Sequence, residues 1–115
     1  MASKYLVFSA PPEGIAPEEY DHWYHHHIRE NLEAPGFVAG QRFELRSAVS
    51  TGGPPAVAHT HLALYEYEGE LARWRADLEA RIGDGRIVLP EWFPRIHFGS
   101  WDCNPIDERV VVPEV

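Results

Sequence analysis

Apolar residues alternate with polar ones in four stretches of the chain and recur at helical spacing in two others. Residues 4–10 are apolar and β-prone, and Pro11-Pro12-Glu13-Gly14 closes them, which predicts a first strand. Pro17, Glu18 and Glu19 then open a helix, because proline presets the first helical φ and acids are favoured where the helix dipole is positive. That helix is predicted to run to about Glu33, where Pro35-Gly36 stops it. Residues 36–49 predict a long second strand with Gly40 as a bulge position. Residues 50–55 form a flexible Gly/Pro-rich loop, and alternation returns over 59–67 as strand three. One face of that strand holds His59, His61, Ala63, Tyr65 and Tyr67, and the other holds Leu62 and Leu64. From Glu70 onward Leu71, Trp74, Leu78 and Ile82 fall on one helical face, with Arg73, Asp77 and Arg81 on the other side and Gly83-Asp84-Gly85 at the end. After the segment IVLPEWFP a last strand is predicted over 95–103, and residues 104–115 read as an extended arm.

The order β-α-β-β-α-β is the ferredoxin-like α+β pattern, a four-stranded antiparallel sheet with helices on one face only. The bare face needs a cover, and a second copy of the same sheet is the simplest one. The expectation is therefore a homodimer, a dimeric α+β barrel, with a domain over 1–103 and an arm of that domain over 104–115. A length of 115 residues, 44% of them hydrophobic and 24% charged, leaves room for one such domain. The formal charge of −8 argues against nucleic acid and against anionic membranes, which both require a basic surface. No apolar run reaches the roughly 20 residues of a membrane span, and the prolines at 11 and 12 cut short anything like a signal peptide. Cys103 stands alone, so no internal disulfide is possible, and a cytoplasmic location is the expectation.

The chemistry concentrates in the first helix. Tyr20, Trp23, Tyr24, His27, Ile28 and Asn31 lie at offsets 0, 3, 4, 7, 8 and 11, one helical face turned to the sheet. His27 thus sits among aromatics, partly desolvated, where an imidazole can pass a proton in either direction or simply serve as a satisfied core residue. His25 and His26 turn to the flanks. His22 and His26 are spaced i, i+4 and could chelate, but they point to the solvent side without a third ligand, so no metal is expected. His59 and His61 on strand three and His97 on strand four, opposite to Ile96 and Phe98, could complete a polar pocket or decorate the barrel seam. Trp92 and Phe93, between Pro90 and Pro94, suit the mouth of an apolar pocket or a dimer contact. There is no glycine-rich phosphate loop, GxSxG, CxxC or HExxH, which removes support from nucleotide use, nucleophilic serine or cysteine chemistry and zinc hydrolysis.

The block Trp23 to Phe37, with Trp23-Tyr24, His27, Leu32 and Pro35-Gly36-Phe37 in place, resembles the signature of EthD-like members of the dimeric α+β-barrel superfamily. The strand LALYEYEG and the closing SWDCNPIDERV are similar to the corresponding segments of that group. The resemblance implies a homodimer with a small-molecule pocket between sheet and helices, and it puts His27 on the group's recurrent histidine. His25 and His26 depart from the acids common there, and no haem ligand can be assigned. The expectation is a cofactor-independent lyase or isomerase acting on an aromatic or polyketide-like carbonyl compound. His27 would be the general acid/base, and Tyr24 or His97 the second proton position. Tyr20, Trp23, Asn31, His61, Trp92 and Phe93 would bind substrate. A cofactor-free monooxygenase and a non-catalytic small-molecule binding module are the rival readings.

Overall fold

A computed structural model describes residues 3–46 and 59–114. Strand β1 (Ser3–Ser9) leads to helix α1 (Pro17–Asn31), then β2 (Phe37–Glu44), β3 (His61–Tyr67), helix α2 (Leu71–Gly83), a 3-10 turn (Phe93–Arg95) and β4 (Gly99–Cys103). The strands form one antiparallel sheet in the order β2-β3-β1-β4, the split βαβ arrangement expected from the order of elements. The second strand, expected to run to residue 49, ends at Glu44 with Leu45 and Arg46 beyond it; residues 47–49 and the loop expected at 50–55 lie outside the described residues.

The pleat sorts the side chains. Tyr5, Val7 and Ser9 of β1 pair with Tyr65, Ala63 and His61 of β3, and this set faces the helices. The core is unusually aromatic: Tyr5, Tyr20, Tyr24, Tyr65, Tyr67 and Trp74 are all buried, together with Ile28 and Ile96. Such rings bury about 150–250 Å² each, and they let a small domain fill its interior with few residues. Helix α1 presents the expected face, with Tyr20, Tyr24, His27, Ile28 and Asn31 buried. Helix α2 is fastened at its end by Arg81, which bonds Asp77 at 2.7 Å and reaches Glu33 beyond α1 at 3.1 Å, so Arg81 bridges the two helices and is not merely a solvent-side charge.

Two glycines shape the entry to β2. Gly36 has φ +101°, and a Cβ there would stand 2.7 Å from the Glu68 carbonyl oxygen, so only glycine fits this turn. The bulge lies at Val38, between Phe37 and Ala39, not at Gly40. Gly40 instead lets α1 come close: a Cβ would lie 3.2 Å from both Leu32 methyls and 3.4 Å from Ile28 Cδ1.

Two histidine placements need correction. Strand three starts at His61, not at residue 59, and the break separates the two imidazoles. His61 meets Tyr20 on the helix side, whereas His59 stacks on Phe8, whose parity in β1 sets it on the opposite face. Strand four starts at Gly99 because the proline-bounded 3-10 turn precedes it, so His97 lies in the connection and its facing does not follow from strand alternation.

Candidate active site

The register brings α1, β1, β3 and α2 around a cavity of about 280 Å³. Tyr24, His27 and Asn31 line it from α1, Tyr5 and Tyr65 from the sheet, and Trp74 and Arg75 from α2. Phe93 and Phe98 complete one wall. The volume is near the lower end of ligand pockets, roughly 300–1,000 Å³, and suits one aromatic ring with short substituents.

His27 is 6% exposed. Its ring stacks on Trp23 at 4.6 Å and meets Tyr24 and Phe93 edge-on. Burial, followed by the neighbouring His26, pushes its pKa down to about 4, so the ring is neutral near pH 7. Its Nδ1 is sealed from solvent and lacks a hydrogen bond, with Glu30 Oε1 3.4 Å away. Burial raises the pKa of the Glu30 carboxyl.

Beside it Asn31 donates through Nδ2 to the Tyr65 hydroxyl at 3.0 Å. Burial lifts Tyr24 well above the ordinary phenol range and Tyr65 to about 12, so both keep their protons. Asn31 Oδ1 and Trp74 Nε1 are buried without protein partners. Both belong to residues that line the cavity, an arrangement that favours a polar occupant. Arg75 carries the one full positive charge of the described lining; it donates to the Tyr5 hydroxyl at 2.9 Å.

Of the residues singled out in the sequence, His27, Tyr24, Asn31 and Phe93 come together at this cavity. Trp23 backs the His27 ring, and Trp92 packs against Trp23 at 5.1 Å, one layer behind the lining. Tyr20 is fully buried and bonds Ser9 at 2.6 Å, a core role. His61 belongs to a neighbouring depression of about 780 Å³ with Asp21 and Arg42, where Asp21 accepts from Arg42 at 2.7 Å and lies 3.2 Å from His61 Nε2. That larger depression is also lined by Phe43, Leu45 and Thr60, and its imidazole meets Tyr20 edge-on at 5.2 Å. His97 is exposed in a third depression with Pro11, Pro12 and Arg95 and is not brought to His27. Tyr5, Tyr65, Trp74 and Arg75 were not singled out as site residues. Strand parity with His61 and the helical face of Trp74 mark Tyr65 and Trp74 as inward-facing, but nothing in the sequence distinguishes Arg75 from the other arginines of α2.

Among the described residues no three His, Cys, Asp or Glu side chains converge as a metal-ligating group, and no helix is long and apolar enough to cross a membrane.

No protein-family model matches the sequence, and no curated protein matches it significantly. Solved structures do share its fold. At3g17210 from Arabidopsis thaliana superposes with a TM-score of 0.69 at 14% identity, over 94% of this chain and 99% of that one. A hydroxynitrile lyase from Passiflora edulis does so with a TM-score of 0.51 at 14% identity, over 93% of this chain and 97% of that one. At these identities the likeness establishes the α+β fold of a four-stranded antiparallel sheet with two helices.

Proposed function

We propose that this chain is a small, cofactor-independent lyase of the EthD-like kind, acting on an aromatic or otherwise largely apolar carbonyl compound or its adduct. The observation that carries the reading is His27, a desolvated imidazole, neutral near pH 7, on the wall of an aromatic cavity. Nδ1 is sealed off, so Nε2 is the nitrogen able to meet a ligand. As a base it takes the hydroxyl proton of an adduct; the oxygen's electron pair closes the carbonyl, and the bond to the leaving group breaks with its pair on that group, which then takes up a proton. Arg75 stabilises the negative charge that develops, and Tyr24 and Tyr65, both protonated, offer hydrogen bonds. The fold neighbour from Passiflora edulis, a hydroxynitrile lyase, agrees with this class of step.

The test is turnover of mandelonitrile and related aromatic hydroxynitriles, and of aromatic and polyketide-like ketones, by wild type and His27→Gln. The reading requires turnover without oxygen consumption and its loss in the variant. Tight binding with no turnover across both panels would replace the enzyme with a binding module.

We also propose that two copies pair through the sheet face turned away from the helices. Strand parity puts Leu6, Phe8, Leu62, Leu64, Phe43 and Trp101 there, and Trp101 is 68% exposed in one chain. From Asn104 to Glu114 the chain has neither helix nor strand, and Ile106, Val110 and Val112 are exposed, apolar positions suited to crossing onto a partner.

A further inference from the structure

Around His27 the charged and titratable neighbours are ordered by burial. His27 is sealed, Glu30 keeps 16% of its side chain exposed, and His26 keeps 76%. All three sit on consecutive turns of α1, where positions three and four apart are neighbours. Glu30 Oε1 is 3.4 Å from His27 Nδ1, and Glu30 Oε2 is 3.9 Å from His26 Nε2. One carboxylate thus faces an interior imidazole with one oxygen and an exterior imidazole with the other. The remaining groups facing His27 are the hydroxyls of Tyr24, Tyr65 and Tyr5 and the Arg75 guanidinium across the cavity. None of these is placed to take a proton from Nδ1, since burial keeps Tyr24 and Tyr65 protonated, the Tyr5 hydroxyl accepts from Arg75, and the guanidinium has no acceptor.

An orphaned Nδ1 is costly unless something accepts its hydrogen or the ring turns over to its other tautomer. Glu30 is the nearest acceptor, and a small side-chain adjustment converts the 3.4 Å approach into a hydrogen bond. We propose that Glu30 is the positioning residue of the site: it accepts the His27 Nδ1 hydrogen, keeps the Nε2 lone pair free for the substrate, and passes protons between His27 and His26 at the surface. The proton balance is simple. When Nε2 takes a proton from the substrate, Nδ1 gives one to Glu30 Oε1, and the resulting carboxylic acid releases one through Oε2 to His26 and water. The reverse sequence delivers a proton to the leaving group. Burial raises the Glu30 pKa and lowers that of His27 to about 4, which reverses their ordinary order and favours transfer of the proton from the imidazolium to the carboxylate.

The inference rests on the proposed acid/base role of His27, but its first test needs no substrate. Nitrogen-15 histidine spectra at pH 7, with the His27 signal assigned by its disappearance in His27→Gln, report the tautomer directly. The proposal requires an Nδ1–H, Nε2-unprotonated ring in wild type and a shift toward Nε2–H in Glu30→Ala. An Nε2–H ring in wild type, or a tautomer indifferent to Glu30→Ala, overturns it. The relay itself is read from mandelonitrile turnover by Glu30→Gln. Turnover should fall at least about tenfold, as expected when the partner of a catalytic imidazole loses its charge, and recover as acetate buffer concentration is raised. Wild type should show no such buffer dependence, and His26→Gln should show a smaller one. If His27→Gln is inactive while Glu30→Gln is active and buffer-independent, the relay fails and the lyase reading stands. If His27→Gln remains active, it is the lyase reading that fails.

Discussion

Acid should destabilise this protein through His27 in a way that can be isolated. The folded state keeps the ring neutral down to about pH 4, whereas in the unfolded chain it takes up a proton near its ordinary 6.5. Between those values the unfolded state binds more protons, so stability is fully present above about 6.5 and is lost as the pH falls toward 4. At 1.36 kcal/mol per pKa unit, moving from pH 7 to pH 4.5 removes about 2.5 kcal/mol through this one residue. Carboxylates also titrate over that interval, so the wild-type profile alone does not isolate the contribution. The comparison is with His27→Gln, which keeps approximate size and hydrogen-bonding capacity but does not titrate. Urea unfolding of both proteins at pH 7 and pH 4.5, at one fixed chain concentration, gives the difference directly. The variant should lose about 2.5 kcal/mol less than wild type over the same step. Equal losses would show that His27 titrates normally in the folded protein, and the desolvated-imidazole account of the site would go with it.

Other consequences are checked more simply. His27→Gln should fold and lose at least about 100-fold in turnover of whichever substrate is identified, the low end for a general acid/base, while His25→Gln leaves turnover unchanged. Light scattering at micromolar concentration should give the mass of a dimer; a monomer would remove the barrel. Chelator treatment should leave the melting temperature unchanged, and a tightly held stoichiometric ion would contradict this. Gly36→Ala should cost roughly 2 kcal/mol or more in urea unfolding, because it adds a positive-φ strain to a backbone collision at Glu68, whereas Gly85→Ala, with open space around it, should cost only the strain.

The fold was legible because its signals are local and agree with one another. The face of α1 from Tyr20 to Asn31 buries as its spacing requires, and proline and glycine punctuation ends the elements within a few residues of the predicted places. Misplacements occur where tertiary contact decides. Gly40 carries the sequence signature of a bulge, but its missing side chain makes room for Leu32 and Ile28, a contact between elements that no strand pattern records. The start of β4 moved four residues because the 3-10 turn Phe93–Arg95 takes in the first residue of the expected strand, and residues 96–98 continue the connection as far as Gly99.

The site divides along the same line. His27, Tyr24 and Asn31 share one helix, so helical geometry alone puts them on one wall, and the sequence suffices for that wall. The opposite wall comes from three other elements, and its composition depends on the sheet register and on how α2 lies across it. Arg75 shows the limit. Along α2 it is one of several solvent-side arginines, and it becomes part of the site only because β1 carries Tyr5 to within 2.9 Å of it. His61 and His97 show the converse, since both are imidazoles near aromatic residues in the sequence yet lie in separate depressions. Residue type therefore identified the chemistry available to the chain, and the chemistry it can perform at one place was set by which side chains the register brought around a single imidazole.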